Sequence, residues 1–291
     1  MDSKLFDSLN KKTGEDFINL EEKFGSPNLD VILSNYLLQE NIKRSEKYSK
    51  TKDTIKFYPS SVGKCMRQNV YQMMGYIGIV DNPQNISVLE NGNYFHLRME
   101  KMFEEMGILI APELSIRSAE LNISGRSDAI IWNPKRDLEE PDGELITLIS
   151  PDGKVIYDGP ENYVSIVEFK SIKDSKFHKL TKKNPLPEHE KQLQLYFELT
   201  GITNGYIYYE NKNSQAVRIY EVYKNQEIID EVIKEIKETV GYAERGELPE
   251  RPYNPSDIQC RFCNFRNICF PNSNPYTFED IFKEVEDGEE K

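Results

Sequence analysis

The chain has 291 residues, of which 38% are hydrophobic and 30% charged, with a formal net charge of −12. This is the profile of a soluble globular protein, long enough for one large domain or two small ones. It excludes a helical membrane protein, because no run of roughly eighteen apolar residues exists, and the acidic balance argues against a general nucleic-acid coat. The start, MDSKLFDSLN, lacks the basic-then-apolar pattern of a signal peptide, so a cytoplasmic location with reduced thiols is expected. The average hides local charge. Glu279 to Lys291 carries seven acidic and two basic residues, whereas Phe169 to Lys183 carries six lysines against Asp174 alone.

In chain order, residues 1–57 are charged and mostly helix-like, and the apolar spacing of NLDVILSNYLLQENI (28–42) predicts a helix packed on something. After Pro59, SSVGKCMRQNVYQMMGY reads as one capped helix with Ser60 or Ser61 at its start. A helix over 88–106 and strands over 113–117 and 121–132 follow. The section 134–163 is polar and turn-rich, with a hairpin of ELITLI and KVIYDG around SPDG. Then come a strand over 163–171, a helix over 187–200, strands over 204–210 and 216–223, and a long amphipathic helix over 225–245. This order indicates an α/β or α+β core without internal repeats.

The chemistry concentrates in that core. GRSDAIIW (125–132) puts Asp128 in a stretch that turns apolar, and IVEFKS (166–171) puts Glu168 and Lys170 two apart. On a strand, that spacing points both side chains to one face. A carboxylate and an amine on an apolar strand need compensation, and an Asp from a neighbouring strand would complete a hard-oxygen pocket for Mg2+ or Mn2+. The bland alternative is a structural Glu–Lys pair. In HEKQLQLYFELTG, Gln192 and Tyr196 share a helix face. His96 lies on a helix among Met99, Met102 and Phe103, and becomes a metal ligand only if that helix meets the strand bearing Asp128. The lysines at 170, 173, 176, 179 and 182 keep a spacing of three; on a helix they would form a broad face able to steer a phosphate backbone. Tyr206, Tyr208 and Tyr209 are read as strand packing rather than base-stacking platforms.

All four cysteines fit one further pattern. Cys260, Cys263 and Cys269 form a C-x2-C-x5-C cluster, and Cys65 stands 195 residues upstream. Thiolates are soft ligands, so the candidates are zinc or an iron–sulfur cluster. Either would join the two ends of the domain, restraining the unfolded chain by roughly 5 kcal/mol on a loop-entropy estimate.

Cys65-x-Arg67, Gly92-x3-His96, Asp128 in GRSD, Glu168-x-Lys170, Gln192-x3-Tyr196 and the terminal cysteine triplet follow one another in order. Together they resemble the RecB-like branch of the PD-(D/E)XK nucleases, above all iron–sulfur members such as the CRISPR-associated Cas four family and the AddB helicase–nuclease subunit. The resemblance runs from Ser60 to about Phe270. It implies an α/β, restriction-endonuclease-like core, a mixed central sheet flanked by helices, with an iron–sulfur clasp joining its N- and C-terminal parts. It implies a [4Fe–4S] cluster on Cys65, Cys260, Cys263 and Cys269, and divalent-metal-dependent hydrolysis of DNA, usually single-stranded and often from an end. His96, Asp128 and Glu168 would hold the metal with help from the carbonyl of Phe169. Lys170 would be catalytic, and Gln192 and Tyr196 would organise the active site and the DNA strand. The expected layout is a helical extension (1–57), a nuclease domain (58–270) with a hairpin insertion (134–163), and an acidic tail (271–291). The insertion is a departure, because 39 residues separate Asp128 from Glu168 where the family usually has a hairpin. DNA recombination, repair, phage replication or CRISPR adaptation would be the setting, with partners from those systems. An inactive DNA-binding or assembly subunit of the same fold, or a zinc-binding interaction module, are the competing readings.

Overall fold

The computed structural model describes residues 28–50, 55–76, 78, 84–136, 143–261 and 263–271. The acidic tail beyond residue 271 and residues 1–27 of the expected extension lie outside the described residues. Helix α1 (Leu29–Lys50) comes first, then a 3-10 turn (Pro59–Ser61), α2 (Met66–Met73) and α3 (Gln84–Glu105). Strands β1 (Leu109–Pro112), β2 (Ser115–Ser118), β3 (Ile123–Arg126), β4 (Ala129–Trp132), β5 (Leu145–Ile149), β6 (Val155–Pro160) and β7 (Val164–Ile172) follow. After β7 come α4 (Asp174–Phe177), α5 (Pro187–Thr200), β8 (Asn204–Asn211), β9 (Val217–Tyr223), α6 (Gln226–Arg245), α7 (Ile258–Arg261) and α8 (Arg266–Cys269).

Five strands make the central sheet, in the order β1-β4-β7-β8-β9. Only β7 and β8 are parallel, and the crossover between them carries α4 and α5. The fold is therefore α/β with a mixed sheet. β7 is its middle strand, and its first six residues are buried on both faces. Phe95 and Met99 of α3 cover one face, against Ala129, Ile131, Val167 and Phe169. Leu193, Tyr196 and Phe197 of α5 cover the other, against Ile130, Ile166, Ile207 and Tyr209. Leu195, on another face of α5, reaches a further layer made with Val70 and Met73 of α2 and Val232 and Ile236 of α6. α6 is secured at both ends: Asn225 accepts the N–H groups of Glu227 and Ile228, and Gly246 closes the helix in a left-handed conformation.

The alternation of strand residues sorts the tyrosines of β8. Tyr209 is fully buried among the core residues on the α5 side, while Tyr206 and Tyr208 are partly buried beside the α3 cluster. All three are packing residues, as read from the sequence.

Three expectations change. The helix expected from Ser60 is split: Ser60 and Ser61 belong to the 3-10 turn, and α2 begins after Cys65 without a side-chain cap. The turn at Gly63, whose φ of 74° suits glycine, redirects the chain between them. The strand expected over 121–132 is two strands in different sheets, since β3 pairs with β2 and β4 with β1 and β7. Asp128 therefore sits at the break before β4, not within a strand. Finally, the lysines beyond Lys170 do not share a helical face. Only Asp174–Phe177 is helical; Phe177 and Leu180 are buried, and Arg218 holds the carbonyl of Leu180 at 2.6 Å. Lys173, Lys176, Lys179 and Lys182 are exposed along an irregular segment.

β5 and β6 form a separate two-stranded ribbon between β4 and β7 in sequence. It leaves β4 and β7 paired, with Ala129 opposite Val167 and Trp132 opposite Val164. At the other end, Phe57 is buried and exchanges backbone bonds with Asn122 and Ser124, so the packed domain already includes the last residue of the expected extension. Among the described residues, no helix is long and apolar enough to cross a membrane.

The helix α5 approaches the sheet closely at Gly205 of β8. A Cβ there would lie 2.5 Å from the carbonyl oxygen of Ile166 and 3.1 Å from the ring of Phe197. Gly205→Ala is expected to lower stability by about 1–3 kcal/mol through overpacking, read as an earlier midpoint in thermal unfolding with activity per folded molecule retained.

Candidate active site

Asp128 and Glu168 come together because β4 and β7 are antiparallel neighbours. Ala129 lies opposite Val167, which sets the residue before β4 beside the middle of β7. Asp128 is fixed through both its backbone and its side chain. The N–H of Glu113 donates to its carbonyl at 3.0 Å, and its Oδ2 accepts the N–H of Phe169 at 2.7 Å. The helix bearing His96 does meet this strand pair, as Phe95 and Met99 pack on β4 and β7. His96 Nδ1 stands 3.3 Å from Asp128 Oδ1.

Glu168 is 1% exposed. Its Oε1 accepts Lys170 Nζ at 2.5 Å and Gln192 Nε2 at 2.7 Å. Lys170 also donates to Gln192 Oε1 at 3.1 Å, so one amide bridges both charges with its donor and its acceptor. Gln192 Nε2 lies 3.3 Å from the Tyr196 hydroxyl, which donates to the carbonyl of Arg126 at 2.7 Å. Gln192 and Tyr196 are 5% and 2% exposed. Their polar atoms are engaged by protein groups, which makes them braces of the charged pair.

The electrostatics follow from burial. Desolvation, with Asp128 adding, pushes the Glu168 carboxyl up to about 7 against the opposing charge of Lys170. Burial works against the charge of Lys170, but Glu168 and Asp128 hold it above the ordinary lysine range. Burial likewise opposes the His96 imidazolium, and the hydrogen bond and charge of Asp128 outweigh it to raise that ring. Desolvation drives the Tyr196 hydroxyl well above its ordinary range, with Glu168 reinforcing it. His189, whose Nδ1 meets the Tyr209 hydroxyl at 2.8 Å, is pushed down to about 3 by burial and by Lys170, Lys176 and Lys64, so it stays neutral.

Asp128, Glu168, Lys170, His96, Gln192 and Tyr196 line one open cleft of about 740 Å³. Residues that the sequence did not single out also reach it, among them Lys64, Glu113, Arg117 and Arg126. Arg126 and Ser127 lie within the GRSD stretch and Lys64 precedes Cys65, so their neighbourhood was visible; Arg117 had no local signal. Arg126 is paired with Glu113 at 2.6 Å, and Glu113 takes a left-handed backbone (φ 43°) at the turn from β1 to β2.

Among the described residues, no group of three or more His, Cys, Asp or Glu side chains stands in an arrangement that could hold a metal ion as it is. The reason is local: both oxygens of Asp128 and Oε1 of Glu168 face protein partners. Yet Glu168 Oε2 and Ser127 Oγ are buried without a hydrogen-bond partner. Buried polar atoms of this kind ask for a ligand, and an imidazole with two carboxylates suits a divalent cation. The residues fit such an ion.

The four cysteines lie beside the N-terminal end of α2 but, among the described residues, form no group arranged to hold a metal ion. All are free and partly buried, and they line one small cavity with Arg67, Tyr71 and Phe265. Burial raises the Cys260 thiol, and Cys263, Cys269 and Cys65 raise it further. Cys263 is raised by burial and by Cys65 and Cys269, with the N–H of Phe265 easing it. Tyr71 stacks on Phe265 at 5.6 Å, and Arg67 holds the carbonyl of Pro249 at 2.5 Å, so α2 and the C-terminal segment are bound side by side. The donor set is one that soft metals or iron–sulfur clusters take.

One family model matches part of the chain. Residues 155–270 match the PD-(D/E)XK nuclease superfamily. That stretch is less than half of the 291-residue chain. The match contains Glu168, Lys170, Gln192, Tyr196 and the cysteine triplet, while His96, Asp128 and Cys65 precede it and are brought to it by the fold. No curated protein sequence matches the chain. Among solved structures, the crystal structure of SSO0001 aligns with 84% of this chain and 98% of its own, at 18% identity and a TM-score of 0.48. An alkaline exonuclease (LHK-Exo) from Laribacter hongkongensis aligns over 69% of this chain and 93% of its own, at 16% identity and 0.43. Its complex with dAMP aligns over the same shares at 14% identity and 0.42.

The raised Glu168 carboxyl gives the domain a pH signature in metal-free solution. Its folded value of about 7 lies above the ordinary 4.5. Between those values the folded protein binds the extra proton, so unfolding free energy falls as pH rises across that window. Glu168→Gln lacks this proton. Urea titrations at pH 5 and pH 8 should show the variant's stability, relative to the unmodified protein, shifting in its favour at the higher pH. An equal difference at both pH values would contradict the burial argument.

Proposed function

We propose that this protein is a divalent-metal-dependent DNA nuclease that hydrolyses phosphodiester bonds, acting on single strands or free ends as an exonuclease. The observation that carries the reading is the meeting of Asp128, Glu168 and Lys170 at one cleft, with the unpartnered Oε2 of Glu168 buried there. His96, Asp128 and Glu168, with the carbonyl of Phe169, would hold Mg2+ or Mn2+. When bound, such an ion supplies Lewis-acid activation of a phosphate oxygen and of a water. Lys170 keeps its positive charge in this setting and is held by Glu168 and Gln192. It orients the attacking water and offsets negative charge that develops on the phosphate. Gln192 and Tyr196 keep Lys170 and Glu168 in place; their burial favours this supporting role over direct contact with the DNA strand.

In this reading Cys65, Cys260, Cys263 and Cys269 hold a [4Fe–4S] cluster with a structural role. Its support is the gathering of four free thiols from both ends of the domain at one cavity. The layout proposed is the extension 1–57, the nuclease domain 58–270 with its ribbon insertion 134–163, and the tail 271–291. The cellular setting proposed is cytoplasmic DNA recombination, repair, phage replication or CRISPR adaptation.

The test begins with oxygen-free purification, a visible spectrum, and incubation of end-labelled single-stranded DNA with Mn2+ or with EDTA. Brown protein that degrades DNA only with Mn2+ is expected. Asp128→Ala and Lys170→Ala should each lose cleavage by at least about 10²-fold while keeping colour and the circular dichroism spectrum; retained metal-dependent cutting would sink the assignment. Brown but inert protein would point instead to a DNA-binding or assembly subunit, and colourless protein with bound zinc to an interaction module. Cys263→Ala should lose colour and thermal stability together, and a stable, fully active variant would remove the structural role of the cysteine pocket.

A further inference from the structure

Two lysines and two arginines line the cleft, and they fall into two kinds. Lys170 is neutralised by Glu168 and Arg126 by Glu113. Lys64 and Arg117 have no side-chain hydrogen bond or ion pair within the described residues, and both are exposed.

Their orientation is imposed by the fold. In β2, Ile116 and Arg117 must point to opposite faces, and Ile116 is buried in the core. On the ribbon of β2 and β3, Arg117 lies opposite Ser124 and Ser115 opposite Arg126. One face of the ribbon is therefore Ser115, Arg117, Ser124 and Arg126, all lining the cleft. Lys64 arrives from another element. Val62 is buried, the turn at Gly63 is tied by its N–H to Glu235 Oε1 at 3.3 Å, and the N–H of Lys64 bonds the carbonyl of Ser61 at 3.2 Å. Between these walls the hydroxyl of Ser127, 0% exposed, has no partner.

We infer that Lys64 and Arg117, with the hydroxyl of Ser127, form a phosphate-binding site in the cleft for a phosphate of the strand that neighbours the one beside Asp128 and Glu168. The inference rests on the nuclease reading for its substrate class, and adds the residues that hold the strand in register. Unpaired ammonium and guanidinium groups with a hydroxyl are the donors that grip phosphate oxygens without reading sequence. They are separate from the charges already paired within the carboxylate cluster.

Binding is tested apart from cleavage, using a fluorescein-labelled single strand of about 20 nucleotides, longer than a typical single-strand site, with the full chain in EDTA, followed by anisotropy over a range of salt. Lys64→Ala and Arg117→Ala are each expected to weaken binding about five- to tenfold, and together to lower the slope of log affinity against log salt by about 0.7, the value for one phosphate contact on single strands. Arg117→Lys, which keeps the charge, should recover the slope, and Lys135→Ala, whose charge is paired with Glu221 outside the cleft, should change nothing. Unchanged affinity and slope in a double variant with an unaltered circular dichroism spectrum overturn the site. If the strand depends on Lys64 and Arg117 but Mn2+ yields no cleavage, the phosphate site stands and the nuclease reading falls. Cleavage with Mn2+ alongside unchanged binding in the double variant leaves the nuclease reading standing and removes the phosphate site.

Discussion

A carboxylate buried in the middle of the central strand constrains everything around it. Glu168 is 1% exposed between apolar neighbours, and an ionised carboxylate in that position is costly unless compensated. Lys170 supplies the counter-charge from the same face of β7, and Gln192 reaches both from α5. This dictates the seating of α5, whose remaining faces pack on the sheet and on the layer below. It also fixes the break before β4, because Asp128 must come off the sheet to bond the backbone of Phe169. Core packing and polar chemistry thus specify the same arrangement.

The opposite effects of neighbours divide the labour within this cluster. Burial pushes the Glu168 carboxyl up, and the nearby charge of Asp128 adds to that push. The same proximity holds charge on Lys170 and His96. Nearly all the internal bonds are thereby satisfied, and the atoms left over, Glu168 Oε2 and Ser127 Oγ, mark where something from outside belongs.

Much of this was legible in the sequence, for a physical reason. Period-two alternation put Glu168 and Lys170 on one face, and the four-residue spacing put Gln192 and Tyr196 on one side of a helix; both are local rules that tertiary packing rarely overrides. The pairing of Asp128 with Glu168 across 39 residues was an expectation from resemblance, since periodicity says nothing about which strands meet. The break between β3 and β4 falls at Ser127 and Asp128, both turn-favouring residues, so it was signalled locally, but local signals do not say that the strands on either side join different sheets. The lysine series misled for the converse reason: a regular spacing suggested a helix, but only Asp174–Phe177 is helical and the later lysines follow an irregular path. Arg117 was invisible because its significance lies wholly in the partner strand opposite it.

The cavity shared by Cys65 with Cys260, Cys263 and Cys269 has a consequence in time. A chain is made from its N-terminus, so Cys65 leaves the ribosome 195 residues before the first of its companions. During that interval its thiol has no other cysteine to meet. The parallel partner of β7, the edge strand β9 and the outer helix α6 also arrive late, so the burial of Glu168 waits for them as well. A chain cut short before residue 249 would lack both the cysteine pocket and the bond between Arg67 and the C-terminal segment. The cysteine pocket can therefore close only after Cys269 has been made, whereas every residue that lines the cleft is already present by Tyr196.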